Sequence, residues 1–233
     1  MNIIIYMQFI YVIRHGETDA NLQGMINDKN VIIPINKTGE KQALKTGKYL
    51  KKYICQNKSK CVIYSSPSIR AVQTATIIGK ELGISNIIQD ERMVEADYGM
   101  ISGTKPGDRL FDEDEKMINE YKKANPEPIS FALNLKKIDT KWSKHFKAET
   151  IDTRVKRIRS FFNNLPKSKK HIIVVTHSNI QKTTLHALFN IPFNGVNGDT
   201  SNGKNCTINC IMRKNKDFQL LTLPNTVHLG LKL

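Results

Sequence analysis

Residues 9–18 read FIYVIRHGET. The first five are an unbroken apolar run, which is typical of a strand that a sheet buries on both faces. Arg14, His15 and Gly16 follow where that strand ends. A guanidinium suits phosphate oxygens, and glycine lets the backbone come close to a ligand. The junction is therefore a candidate phosphoryl-transfer site.

Strand-like runs and helical patterns alternate along the rest of the chain. Further strands are predicted at 61–64 and 172–175, and apolar residues recur at helical spacing within 43–54, 72–82 and 151–165. The alternation predicts an α/β fold, a three-layer α/β/α sandwich with a mostly parallel central sheet. In such folds the active residues gather at the carboxyl ends of the strands.

Residues at the predicted strand ends and helix starts agree with this fold. His15, Ser65 and His177 fall at the carboxyl ends of predicted strands. Helix N-caps are predicted at Thr38 and Ser66, and Pro67 suits the first helical position.

Length and charge bound the range of functions. With 233 residues and 39% hydrophobic content, residues 1–233 are predicted to form one domain. The net charge of +15 comes from 28 Lys and 8 Arg. This positive charge has several possible origins. It attracts phosphorylated ligands, or it is an ordinary solvated lysine surface, and codon bias explains part of the lysine excess. There is no aromatic-interleaved basic stripe, so no specific nucleic-acid partner is expected.

The cysteines and the N-terminus bear on location. The chain has four cysteines, and none of them shows C-x-x-C spacing: Cys55, Cys61, Cys206 and Cys210. This pattern argues against a structural zinc site and favours a reducing compartment such as the cytoplasm. Cys206 and Cys210 are predicted to lie on the inward face of a strand. No run approaches the ~20 apolar residues that cross a bilayer, so no membrane partner is expected. Residues 1–7 are interpreted as the start of the first strand with a short extension, and Met7 could equally be an internal start.

Residues 104–147 differ from the rest and are interpreted as an insertion, here called the cap segment. It is charged and contains Pro106, Pro126, Pro128 and the only tryptophan, Trp142. A helix is predicted at 112–123, so the segment is expected to cover the site.

Three distant segments add groups that suit phosphate chemistry. Residues 65–75 place Arg70 in the first turn of a helix, where the amide end and the guanidinium both attract an anion. Residues 174–179 end a buried strand with His177. Residues 92–103 offer the carboxylate of Glu95 on a loop.

These segments together resemble the histidine phosphatase superfamily, also called the phosphoglycerate mutase-like superfamily. Within it they resemble the branch that contains fructose-2,6-bisphosphatases and broad-specificity phosphatases. RHGET is similar to that family's signature. The similarity continues through Asn21, Gln23-Gly24, 34–43, the three segments above, 148–150 with Arg157, and 224–229.

The resemblance implies a mechanism and a set of site residues. His15 would form a phosphohistidine that water hydrolyses, and Glu95 would donate and later take up a proton. Arg14, Arg70 and His177 would hold the phosphoryl oxygens without a metal or other cofactor. The substrate-binding residues would be Asn21, Gln23, Gly24, Tyr98, Ser178 and Asn179.

Departures from the family pattern favour a phosphatase acting on a small phosphorylated metabolite. Phosphoglycerate mutases carry Glu-Arg-His-Tyr-Gly in the third segment and a paired arginine beyond it. This chain has Ala96 and Asp97 between Glu95 and Tyr98, with no Arg-Arg pair, which favours water as the acceptor. A mutase-type phosphotransferase and a non-catalytic basic binding protein remain the alternatives. The oligomeric state stays open, with a homodimer as one option.

Overall fold

One mixed six-stranded sheet organises the chain, and helices cover both of its faces. The computed structural model describes residues 7–124, 139–191 and 204–230. The predicted N-terminal extension and the prolines at 126 and 128 lie outside these residues. The strand order is β3-β2-β4-β1-β5-β6. The first four of these strands in space run parallel, whereas β5 and β6 form an antiparallel hairpin beside β1.

The elements confirm the predicted α/β sandwich. The strands are β1 (Met7–Arg14), β2 (Cys61–Ser65), β3 (Ile87–Gln89), β4 (His171–Thr176), β5 (Ile208–Lys214) and β6 (Asp217–Asn225). The helices are α1 (Asp19–Leu22), α2 (Lys37–Tyr53), α3 (Ile69–Leu82), α4 (Arg109–Ala124), α5 (139–146), α6 (Ile151–Asn163), α7 (Ser178–Phe189) and α8 (Val227–Gly230). Short 3-10 turns occupy Lys58–Lys60, Glu91–Met93 and Gly99–Ile101.

Alternate residues of the central strands build two cores, one on each face. Ile10 and Val12 of β1 pack with Phe161 and Phe162 of α6 and with Ile180 of α7. Their neighbours in β1 face the other way, towards α2 and α3. Because every central strand is covered on both sides, its sequence is apolar throughout, which is why β1, β2 and β4 were predictable.

Two predicted helix starts are wrong. The N-cap of α2 is Asn36, whose side chain accepts a hydrogen bond from the Gly39 amide, rather than Thr38. The N-cap position of α3 is Ser68, which makes no capping bond, rather than Ser66. The hydroxyl of Ser66 serves the active site instead, as described below.

The cysteines depart from expectation. Cys55 and Cys61 form a disulfide that links the end of α2 to the start of β2, which counts against the expectation of reduced thiols. Cys206 is buried as predicted, but it precedes β5 instead of lying on the strand. Cys210 lies on β5 as predicted, but it is only partly buried.

The cap segment contains the predicted helix. The helix at 112–123 is confirmed within α4, and the described residues 139–146 form α5. Trp142 of α5 donates a hydrogen bond to Asp114 of α4 at 2.6 Å and packs edge-on against Tyr98. These contacts attach the cap segment to the loop that follows Glu95. The assignment of residues 1–233 to a single domain stays a prediction.

Candidate active site

A cavity of about 350 Å³ lies at the carboxyl ends of β1 and β4, between the sheet and the cap segment. Seven predicted site residues line it: Arg14, His15, Asn21, Glu95, Tyr98, Ser178 and Asn179. The remaining described lining residues include Asp114 and Trp142 of the cap segment. The expected placement of the cap segment against the site therefore agrees with these contacts.

His15 follows β1 and is held in one orientation and one tautomer. Its Nδ1 atom lies 2.7 Å from the Gly16 carbonyl oxygen. Because a carbonyl oxygen only accepts hydrogen bonds, Nδ1 carries the hydrogen and the neutral ring presents a lone pair at Nε2. Burial, followed by the charges of Arg14 and Arg70, holds the pKa of His15 well below its usual range. The ring is therefore neutral near neutral pH.

His177 follows β4 and stands beside His15 in an edge-on arrangement, with the ring centroids 5.3 Å apart. Its Nε2 atom lies 2.8 Å from the Ser66 hydroxyl, and its buried Nδ1 has no hydrogen-bond partner among the described residues. Burial and the nearby Arg70 lower the pKa of His177 well below its usual range. His177 is fully buried behind the cavity wall rather than part of it.

The two predicted arginines occupy different positions. Arg14 lines the cavity and donates to the Lys204 carbonyl at 3.3 Å. Arg70 is fully buried and donates to the backbone carbonyls of Val31, Asn27 and Asp28 at 2.9 to 3.1 Å. Its guanidinium thus fixes the loop beside the cavity. The Nε atoms of both arginines are buried without a partner among the described residues.

Glu95 is a buried carboxyl group in the cavity wall, 5% exposed. Burial raises its pKa, while the Ala96 amide, Arg70, Arg154 and the Asn179 amide act in the opposite direction. The Ala96 amide donates to Oε1 at 2.8 Å and the Asn179 amide to Oε2 at 3.4 Å. A carboxyl group with a raised pKa beside a neutral imidazole suits proton transfer.

An ion pair behind Glu95 supports its loop. Glu149 accepts from Arg157 at 2.8 Å, and Arg157 also donates to the carbonyls of Arg92 and Val94. Glu149 therefore has a structural role. Glu17, which follows Gly16, accepts from the side chain of Asn36.

The predicted substrate-binding residues divide into two groups. Tyr98 and Asn179 line the cavity and are joined by a hydrogen bond from the Asn179 amide to the Tyr98 hydroxyl, and Ser178 begins α7 beside them. Asn21 also lines the cavity, and its carboxamide oxygen accepts from Asn205 at 3.0 Å. Gln23 and Gly24 form the second group, which lies outside the cavity.

Gln23 and Gly24 are not brought into the cavity. Gln23 is the exposed C-cap of α1. Gly24 has a positive φ of 64°, and a Cβ there would lie 3.6 Å from the Pro106 ring. They form the turn after α1, and their backbone N–H groups donate to the Asn21 carbonyl.

Gly16 serves a purpose different from the expected approach to a ligand. A Cβ at Gly16 would lie 2.7 Å from the Gly39 carbonyl oxygen, and one at Gly39 would lie 2.4 Å from the Glu17 carbonyl oxygen. The two glycines therefore let the loop after β1 pack directly on the first turn of α2. This contact fixes the backbone that carries His15.

Comparison with known proteins agrees with this geometry. The family model for the histidine phosphatase superfamily (branch 1) matches residues 10–226. The chain belongs to the histidine phosphatase superfamily. Its phosphoglycerate mutase-like fold and the identity predicted from RHGET are thereby confirmed.

Individual relatives of this superfamily member carry both phosphatase and mutase names. The chain is 41% identical over 97 residues to the uncharacterized phosphatase PhoE of Bacillus subtilis, covering 42% of this chain and 47% of the relative. It is 32% identical over 99 residues to a 2,3-bisphosphoglycerate-dependent phosphoglycerate mutase of Thermoplasma acidophilum, covering 42% and 46%. The matched stretch thus spans about half the length of these curated relatives.

A solved structure extends the likeness of fold over almost the whole chain. It is a phosphoserine phosphatase from Entamoeba histolytica in complex with phosphoserine, with a TM-score of 0.71 at 24% identity. The alignment covers 95% of this chain and 99% of that one. At this identity the likeness concerns the fold.

Several residues around the site were not foreseen from the sequence. Asp28 is fully buried and accepts from the Ser102 hydroxyl at 2.6 Å and the Tyr98 amide at 3.0 Å. Asn205 donates to the His15 carbonyl and to Asn21. The preference of Asp for turns offered a weak signal for Asp28, whereas nothing local marked Asn205.

The described ranges contain neither a cluster of metal-ligating side chains nor a helix that could span a membrane. Within residues 7–124, 139–191 and 204–230, no group of three or more His, Cys, Asp or Glu side chains is placed to hold a metal ion. No helix in the same ranges is long and apolar enough to cross a membrane.

Proposed function

We propose that this histidine phosphatase superfamily member is a metal-independent phosphatase that hydrolyses a phosphomonoester of a small metabolite through a phosphohistidine at His15. One observation carries the proposal. The Gly16 carbonyl fixes the hydrogen of His15 on Nδ1, so that Nε2 is free to attack, while Glu95 with its raised pKa lines the same cavity.

In the first step, Nε2 of His15 attacks phosphorus as the bond to the leaving oxygen breaks. The proton that the leaving oxygen needs comes from Glu95, because burial favours its protonated form. The products of this step are a phosphohistidine, a free alcohol and a Glu95 carboxylate. The Nδ1 hydrogen bond to Gly16 supports the positive charge that develops on the ring.

In the second step, water attacks the phosphohistidine. The Glu95 carboxylate takes one proton from that water while the nitrogen–phosphorus bond breaks. Inorganic phosphate leaves, and His15 and Glu95 return to their starting states. The same carboxyl group therefore acts first as acid and then as base.

Unpartnered donors around His15 support the predicted phosphate clamp. Eight buried side-chain nitrogen and oxygen atoms of the described residues lack a partner, and three belong to the clamp: Arg14 Nε, Arg70 Nε and His177 Nδ1. Buried donors without a partner are costly, and a phosphoryl oxygen in the cavity would satisfy Nε of Arg14, which lines it, whereas Arg70 and His177 are buried behind its wall. Positive side chains at this position would stabilise transferring charge without a metal ion.

The phosphoglycerate mutase alternative is not favoured, although one relative carries that name. A mutase must hold its released product through a second anionic group. Incubation with 3-phosphoglycerate and 2,3-bisphosphoglycerate distinguishes the two activities. A phosphatase releases inorganic phosphate, whereas 2-phosphoglycerate formed much faster than phosphate would establish the mutase.

The remaining expectations stay proposals. The protein is proposed to work in the cytoplasm, although the Cys55–Cys61 disulfide weakens the cysteine argument for that location. A small phosphorylated molecule is the proposed partner, with no specific nucleic acid or membrane, and a homodimer is one option for assembly.

The test is the His15→Ala variant assayed with p-nitrophenyl phosphate. Loss of the nucleophile is expected to lower kcat by about a thousandfold or more. His145→Ala is the matched control, because His145 is half-exposed in the cap segment, pairs with Glu113 and does not line the cavity. Undiminished hydrolysis by a folded His15→Ala protein would overturn the proposed mechanism.

A further inference from the structure

The side chains that line the cavity away from the catalytic residues decide which leaving group it can bind. The apolar members of this lining are Trp142, Ile118, Ile101, Met25 and Ile26, and apart from Glu95 its only described carboxylate is Asp114. Neutral polar side chains complete the described lining: Asn21, Asn27, Tyr98, Ser178 and Asn179. A leaving group bound here therefore meets apolar and neutral polar side chains and one further acid.

Asp114 is an under-used acceptor. It is 7% exposed, and its Oδ1 accepts from Trp142 Nε1 at 2.6 Å. Among the described residues no hydrogen bond reaches Oδ2. An ionised carboxylate has about four acceptor sites. Orienting Trp142 therefore uses only part of the capacity of Asp114, which lines the cavity. Burial raises the pKa of Asp114, and a cationic partner would favour its ionised form.

The charges of the cavity are separated along it. Burial, Arg14 and Arg70 lower the pKa of His15. Burial raises the pKa of Tyr98, as do three carboxylates, Glu95, Asp28 and Asp114, while Arg154, which does not line the cavity, lowers it. Among the described lining residues, Arg14 carries the only positive side chain. The phosphoryl end of a substrate thus meets positive charge at His15, while the leaving group reaches a negative charge beside Tyr98.

We infer that Asp114 is a specificity residue that binds a hydrogen-bond donor, an ammonium group above all, on the leaving group. This inference rests on the proposed phosphatase function. A carboxylate on the leaving group would be repelled by Asp114 and would lose water without gaining a partner. Substrates should therefore rank as cationic, then neutral, then anionic.

Lys182 is the competing anchor for a second anion. It lies on α7, within electrostatic reach of Arg14 and Glu95, and burial lowers its pKa. Its side chain is not among the residues that line the cavity, whereas Asp114 is. A preference for an anionic leaving group would favour Lys182 and contradict the role of Asp114.

The experiment compares Asp114→Asn with the wild-type protein on three phenyl phosphates that carry an aminomethyl, a hydroxymethyl or a carboxylate group in the para position. Asparagine keeps an acceptor for Trp142, removes the negative charge and replaces the second oxygen by an amide donor. For each substrate, kcat/KM of the variant is divided by that of the wild type, so that differences in leaving-group reactivity cancel. The ratio for the aminomethyl substrate is expected to fall about tenfold or more relative to the ratio for the carboxylate substrate.

Asp112→Asn is the matched control, because Asp112 lies on the same helix, allows the same substitution, and is exposed and outside the cavity. Fluorescence of Trp142, the only tryptophan, verifies that the variants keep the cap segment folded. Equal ratios for all three substrates, or the same change in Asp112→Asn, would overturn the inference while leaving the phosphatase proposal intact. Failure of the wild type on every substrate would instead count against the proposed function.

Discussion

The Nδ1 atom of His15 lies 2.7 Å from the carbonyl oxygen of Gly16, the next residue in the chain. This bond decides which nitrogen of the ring can react, because it places the hydrogen on Nδ1 and leaves the Nε2 lone pair free. The packing of Gly16 on Gly39 fixes the carbonyl itself. The orientation of the nucleophile therefore depends on two glycines as well as on the histidine.

The pH dependence of kcat/KM should follow His15 and Glu95, because kcat/KM reports the ionisation of the free protein up to phosphorylation. His15 must be neutral to attack, and its lowered pKa means that activity is lost at low pH only well below 6.5. Glu95 must be protonated to act as acid, so activity falls as the pH rises through its raised pKa. The measurement is a pH profile of kcat/KM. A fall in kcat/KM towards low pH that is centred on an ordinary histidine pKa would contradict the assignment of His15.

Glu95→Gln should slow poor leaving groups more than good ones. Without a proton donor, kcat for an alkyl phosphate is expected to fall about a hundredfold or more, whereas p-nitrophenyl phosphate should lose much less in the first step. Glu91→Gln is the control, since Glu91 is exposed on the same loop. Steady-state and burst kinetics on both substrates provide the measurement. Equal losses in phosphorylation rate would argue against Glu95 as the acid.

Gly39→Ala should destabilise the fold. A Cβ would meet the Glu17 carbonyl oxygen at 2.4 Å, so backbone must shift, at a cost of about 2 kcal/mol or more in the free energy of unfolding. In an open helical position the same change stabilises by up to about 1 kcal/mol. Urea denaturation measures the difference. Gly230→Ala is the control and should be nearly neutral, because no atom of the described residues lies within 4 Å of the added Cβ.

Asp28→Asn should also lower stability. The carboxylate accepts from Ser102, from the Tyr98 amide and from Asn30, and an amide group would set a donor against one of these donors. The expected loss is about 1 to 3 kcal/mol in the free energy of unfolding, measured by urea denaturation. Asp217→Asn makes the same change at an exposed position. Equal stability of the two variants would show that the Asp28 contacts contribute little.

The sequence predicted the part of the fold where burial leaves a local signal. Strands β1, β2 and β4 are covered on both faces and therefore appear as continuous apolar runs. β3 has only three residues, and β6 lies at the sheet edge with mostly exposed side chains, so neither produced such a run. The helix starts were displaced because Asn36 and Ser68 stand close to equally plausible capping residues.

The site was predictable to the extent that its residues stand at strand ends or in family motifs. His15, Glu95 and Arg14 line the cavity as expected. The Ser66–His177 contact spans 111 positions, and Asp114 reaches the cavity only through packing of the cap segment. Such contacts depend on tertiary structure, and no local pattern of residues indicates them.

The central claim is that His15 carries the phosphoryl group, and trapping that intermediate tests it most directly. The wild-type, Glu95→Gln and His15→Ala proteins are mixed with radiolabelled p-nitrophenyl phosphate, quenched in alkali and digested. The label is expected on the peptide that contains His15, stable to alkali and lost in acid. It should accumulate in Glu95→Gln, because water activation is slowed, and be absent from His15→Ala. An acid-stable label, or a label on any other residue, would contradict the account.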